Sequence, residues 1–100
     1  MTDPATSAVQ QMIVDVMDDL KDMLLEKNRK YGNSALEPIR VFSKSSAKEQ
    51  ILVRIDDKLN RMMNRQDDED EDINRDLIGY LVLSIVHDRI ARNPQALNLP

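Results

Sequence analysis

Asp72 and Asp76 stand four residues apart at the head of an apolar-rich segment, a spacing that puts both carboxylates on one helix face. Like charges so placed repel by about 0.2–0.5 kcal/mol. A divalent cation between them reverses the sign of that interaction. Magnesium suits such a pair, because it takes oxygen ligands and is held by one or two carboxylates plus substrate phosphates. Asp76 is the stronger candidate, lying between Ile73 and Leu77 and one turn from Tyr80. The plainer alternative makes Asp72 a helix-start charge and Asp76 the partner of another side chain.

Asp57 offers the same choice on an earlier segment. It can pair with Arg61 one turn on, or meet Asp76 across two antiparallel helices with Asn60 or Lys58 nearby. Glu26 ends an acidic row of Asp15, Asp19 and Asp22, most simply a solvated face. It gains interest from the residues that follow. Lys30, Tyr31, Gly32 and Asn33 combine a phosphate-directed cation, a flat stacking surface, a tight bend and an amide. That equipment suits a nucleotide, and it is also ordinary helix-ending chemistry.

Three segments must position these groups. The first helix starts at Asp3-Pro4 or at a Ser7/Gln10 capping box, and Val9, Ile13, Val16, Leu20 and Met23 or Leu24 recur along it at helical spacing. Tyr31-Gly32-Asn33 stops it. The connection over 31–45 is long, and Pro38 can open a short helical turn with Leu36, Ile39, Val41 and Phe42 plugging the core. Ser46 with Glu49 forms the next capping box. There Leu52, Ile55, Leu59 and Met62 form the expected buried stripe, with an end near Gln66. Asp70 is the expected cap of the last helix, whose stripe is Ile73, Leu77, Tyr80 or Leu81, and Ser84; Asn93-Pro94 ends it. From Leu77 to Val86 it is apolar nearly all round, more than two neighbours can cover. Completion by a second copy is the simplest solution.

Composition bounds the function. The 100 residues are 41% hydrophobic and 32% charged, with two glycines, four prolines and three aromatics, Tyr31, Phe42 and Tyr80. That is the composition of a helical protein. No cysteine is present, which removes disulfides, thiolate chemistry and cysteine-based zinc sites. The net charge of -4 is produced by six consecutive acids from Asp67 to Asp72, and the remainder carries twelve acids against fourteen bases. The acidic run lacks the glycine and alternation of a calcium loop and reads as a solvated turn. Arg54, Lys58, Arg61 and Arg65 form one basic row, too few beside that run to argue for nucleic acid. The single histidine, His87, reads as a packing or surface residue. The opening MTDPATSAVQ has neither the basic start nor the apolar run of a secretory signal, and Leu77–Val86 is half a membrane span. The expectation is a soluble, cytoplasmic protein without a membrane.

Taken in order, LLEKNRKYGNS, RIDDKLNRMMN and EDINRDLIGYLVLSI resemble the phage-associated nucleotide modification associated domain. That domain is itself similar to the all-alpha NTP pyrophosphatase, or MazG-like, superfamily. The match covers about residues 15 to 90 and is most specific in the Lys-Tyr-Gly-Asn turn and the final acidic-to-Asp-Leu helix. The resemblance implies an oligomeric helical bundle that binds Mg2+ through helix-borne carboxylates. Enzymes of the wider superfamily cleave nucleoside triphosphates to monophosphate and pyrophosphate, with a metal-bound water attacking phosphorus. It implies Glu26, Asp57, Asp72 and Asp76 as metal ligands, with Glu26, Asp57 and Asp76 as the catalytic set. Lys30, Lys58 and Arg61 become phosphate contacts, and Tyr31 and Asn33 line the base or sugar. The pattern also departs from that superfamily, whose enzymes carry two glutamates three apart and later a glutamate and aspartate three apart. Here the first helix offers Asp15-Asp18 and Asp19-Asp22, and the last offers Glu69-Asp72 and then Asp72-Asp76 at four.

The expected protein is therefore all-α, a single helical domain over 1–100 with its core over about 7–92. Three long helices and a short one form a bundle completed as a homo-oligomer, a dimer or higher. The expected function is magnesium-dependent nucleotide binding, with or without hydrolysis. The alternative is a non-catalytic helical oligomerisation or protein-interaction module of phage or prophage origin.

Overall fold

A computed structural model describes residues 3–33, 35–36, 45–64 and 72–97. Among these every regular element is helical, as expected. The chain divides into two compact units, Met1–Gly32 and Asn33–Pro100.

The first unit is one helix, α1 (Pro4–Tyr31). Of the two starts open to it, the chain uses the earlier. Pro4 sits at the first helical position, where a missing N–H costs nothing, and the Ser7 N–H donates to the Asp3 carbonyl at 2.9 Å. The Asp3 side chain makes no capping bond to the backbone; it accepts from Thr6 Oγ1 at 3.3 Å instead. Termination falls where Gly32 takes φ +65°, a conformation that side chains resist. Its N–H donates to the Asn28 carbonyl at 2.7 Å, and Asn28 Nδ2 donates back to the Gly32 carbonyl at 3.1 Å. Arg29 and Lys30 lie in the last turn, favourable to the helix dipole. The expected apolar stripe is only partly covered. Leu20 is buried and Met23 and Leu24 are half-buried, while Val9, Ile13 and Val16 are exposed.

The second unit holds α2 (Ala47–Met63), α3 (Ile73–Arg92) and a 3-10 helix, Pro94–Leu97. Ser46 caps α2 as expected, its Oγ accepting from the Glu49 N–H at 3.1 Å. The helix ends at Met63, three residues short of Gln66, with the Asn64 N–H on the Asn60 carbonyl at 3.0 Å. The buried stripe is also displaced. Ala47 and Ile51 are buried and Ile55 is half-buried, whereas Leu52, Leu59 and Met62 are exposed. The physical reason is that α2 carries two apolar rows sharing Ile55, and helical spacing is satisfied by either. The row chosen against α3 is the one that begins with small Ala47.

Asp72, not Asp70, caps α3, its Oδ1 accepting from the Arg75 N–H at 3.0 Å. Ile73 and Gly79 are buried, and Leu77, Tyr80 and Ser84 are half-buried, close to the expected stripe; Leu81 and Ile85 are exposed. Asn93 closes the helix on the Arg89 carbonyl at 2.9 Å, and Pro94 opens the 3-10 helix. Pairing of Lys58 with Asp76 and of Lys48 with Asp88 sets α2 and α3 antiparallel. The Pro38 turn with Ile39, Val41 and Phe42, Arg65, Asp70 and the acids at 67–71 lie outside the described residues. No helix among the described residues is long and apolar enough to cross a membrane.

Candidate functional site

On α1, Glu26 is exposed and held by Arg29 through two bonds, Nε to Oε2 at 2.9 Å and Nη2 to Oε1. That hydrogen bonding draws the Glu26 carboxyl below its ordinary range and raises the Arg29 guanidinium. Lys30 Nζ lies 5.4 Å from the centre of the exposed Tyr31 ring, a cation–π pair between two residues expected to contact substrate.

In the second unit, Asp57 is exposed and pairs with Arg61 Nε at 3.4 Å along its own helix, the plainer of the two arrangements open to it. The neighbouring residue is the one that crosses to α3. Lys58 Nζ lies 3.2 Å from Asp76 Oδ2, with the two side chains only 15% and 27% exposed. Antiparallel packing brings them together: Lys58 is in the last half of α2 and Asp76 in the first turn of α3. Burial of the lysine stem along the α2–α3 seam leaves its ammonium directed at the carboxylate. Asp72, one turn before Asp76, is occupied as the α3 cap.

The basic row is dispersed among partners. Lys58 faces Asp76, Arg61 faces Asp57, and Arg54 lies over the Tyr80 ring at 6.0 Å.

At the other end of the same seam is a polar cluster that sequence reasoning missed. Lys48 Nζ donates to Ser84 Oγ at 2.6 Å and to both Asp88 oxygens at 3.0 Å. His87 Nδ1 is 3.5 Å from Asp88 Oδ1. Lys48 lowers the Asp88 carboxyl chiefly by hydrogen bonding, against a smaller opposing effect of burial. The signal was present: once Lys58 faces Asp76, an antiparallel register sends residues three turns earlier on α2 to residues three turns later on α3. Asn33 lines a cleft of about 160 Å³ with Leu36, His87, Ile90, Ala91 and Leu97. That is about half the smallest usual ligand pocket, roughly 300 Å³.

No family model, curated protein or solved structure matches this chain. Its chemistry rests on its own residues.

Among the described residues, no three Asp, Glu or His side chains gather to hold a metal ion. Asp76 is a half-buried carboxylate on a rigid helix beside a phosphate-competent ammonium. Magnesium completes its shell with water and substrate phosphates around one or two carboxylates. A magnesium ion at Asp76 would draw most of its ligands from water and phosphate.

Proposed function

We propose that this chain is a magnesium-dependent nucleotide-binding domain of the phage-associated type that its motifs resemble, working in the cytoplasm where both ligands are at hand. The observation that supports this reading is the Lys58–Asp76 pair. Two residues that the motifs nominate for phosphate and for metal, on different helices, come within ion-pair distance at a half-buried seam. In this reading Asp76 holds the metal, Lys58 and Arg61 contact phosphate, and Asp72 supplies its second oxygen only if its cap loosens. Bound magnesium supplies charge neutralisation and polarises phosphate oxygens. Asp57 and Glu26 remain outer candidates, each held by an arginine on its own helix. The absence of the paired glutamates of the hydrolytic superfamily favours binding over hydrolysis. Isothermal titration with magnesium and a panel of nucleotides tests it. Specific binding is expected, weakened at least about tenfold by Asp76→Asn; no binding across the panel refutes the reading.

A second reading rests on a different observation. Val9, Met12, Ile13, Val16 and Met17 on α1 are each at least half exposed. Contiguous apolar side chains left in water mark interaction surfaces. In this reading the chain is a helical oligomerisation module, a dimer or higher. Light scattering during size exclusion distinguishes the two: this one requires association that is independent of nucleotide, and a monomer at all concentrations refutes it.

A further inference from the structure

A helix gains most of its stability by packing an apolar face, and α1 makes up a unit by itself. Over residues 9–17 its apolar face is left to water: Val9, Met12, Ile13, Val16 and Met17 are each at least half exposed. Val9, Ile13 and Val16 follow the four–three alternation of a coiled-coil seam, with Met12 and Met17 on either side of it. The row continues at Leu20, which is already buried. A cover for the exposed part therefore has to end before Leu20. Charge selects what that cover is. From Pro4 to Val14 α1 has no charged residue, and from Asp15 to Asp22 it has four acids and one base. Its first turn holds no acid and Asp3 makes no capping bond to the backbone, so the positive end of the helix dipole lacks a capping carboxylate. A helix built in this way complements an inverted copy of itself.

We infer that two copies of this chain associate by antiparallel pairing of α1 over residues 4–18, with Val9 of each copy opposite the partner's Ile13. This deepens the oligomerisation reading and rests on it. In this register Val16 faces the partner's Thr6. The partner's Pro4 falls level with Asp18, so the pairing stops about 3 Å short of Leu20 along the axis. Asp19 lies beside the partner's first turn and supplies the carboxylate which that end lacks. Lys21 shares a flank with the partner's Asp3, about 3 Å apart along the axis. Parallel pairing would instead set the four acids level with the same four acids of the partner, where they repel, and would carry the seam through Leu20. The same surface serves both copies, which closes the assembly at a dimer.

The chain has no cysteine, so introduced cysteines report the pairing directly. Full-length Val9→Cys and Ile13→Cys chains are mixed in a glutathione redox buffer, with Leu25→Cys, exposed and on the far side of α1, as the control. The mixed disulfide between Val9→Cys and Ile13→Cys is expected to exceed either symmetric disulfide at least about tenfold, because only that pair comes within bridging distance. Symmetric disulfides in excess overturn the inference, as does a mixed yield no greater than that of the Leu25→Cys control. Light scattering over a range of protein concentrations then compares wild type with Ile13→Glu, with circular dichroism to establish that each is helical. Wild type is expected to approach twice the monomer mass and Ile13→Glu to stay monomeric. Association that Ile13→Glu leaves intact keeps the oligomerisation reading and overturns this pairing. A monomer at every concentration overturns both. Should Ile13→Glu lose its helix, the cross-linking decides.

Discussion

Lys58 and Asp76 form the half-buried ion pair that joins α2 to α3, Nζ to Oδ2 at 3.2 Å. Because both groups have given up much of their water, solvent replaces their mutual attraction poorly when one is removed. Lys58→Met and Asp76→Asn are each expected to destabilise the second unit by about 1–2 kcal/mol, and the double variant by less than their sum. Urea unfolding of the four forms reads the coupling. Strict additivity would place the two side chains in independent surroundings.

A second prediction concerns acid. The Lys48 ammonium beside Asp88 holds its carboxyl below the ordinary range. A carboxyl lowered in the folded state adds stability that is complete above its unfolded value, about pH 3.9, and is lost as pH falls through the folded value. Lys48→Met is therefore expected to raise the Asp88 midpoint in a carboxyl NMR titration and to remove that part of the acid limb. An unchanged midpoint would mean that the Lys48 contact does not persist in solution.

The register of α2 is open to direct measurement. Ile51 is 1% exposed and Leu52 is 44% exposed. Truncation of a buried isoleucine costs about 2–5 kcal/mol, so Ile51→Ala should approach that range. Leu52→Ala should cost under about 1 kcal/mol. The opposite order in thermal or urea unfolding would restore the stripe that helical spacing suggested.

Helix starts differ in kind as well. Ser46 Oγ accepts a backbone N–H, so Ser46→Ala is expected to cost about 1 kcal/mol. Asp3 makes no such bond, and Asp3→Ala should cost visibly less on the same measurement.

How far the fold could be read depends on the kind of information each feature carries. Three helices, the Ser46 cap, the stop at Gly32 and the stop before Pro94 are local matters, decided within a few residues by hydrogen bonding and backbone sterics. All of these were legible. The cap of α3 slid from Asp70 to Asp72 because a run of acids offers several equivalent acceptors, and only the position of the first packed residue, Ile73, selects among them.

The site divides along the same line. Asp76 and Lys58 could each be nominated from residue type and position, but which carboxylate meets which cation is a contact between helices. Spacing along α2 allows Asp57 or Lys58 to face α3; packing the Ala47–Ile51 row against α3 turns Lys58 inward and leaves Asp57 to Arg61. The Lys48–Ser84–Asp88 cluster was hidden for the same reason, its members being 36 and 40 residues apart. Sequence by itself determined the helices, the Ser46 cap, the stops at Gly32 and before Pro94, and the supply of charged groups, because these follow from interactions within a turn or two of chain. Only the tertiary structure decided which face of α2 is inside, and with it which charges are neighbours, because two apolar rows that both satisfy helical spacing are equivalent until a second helix packs on one of them.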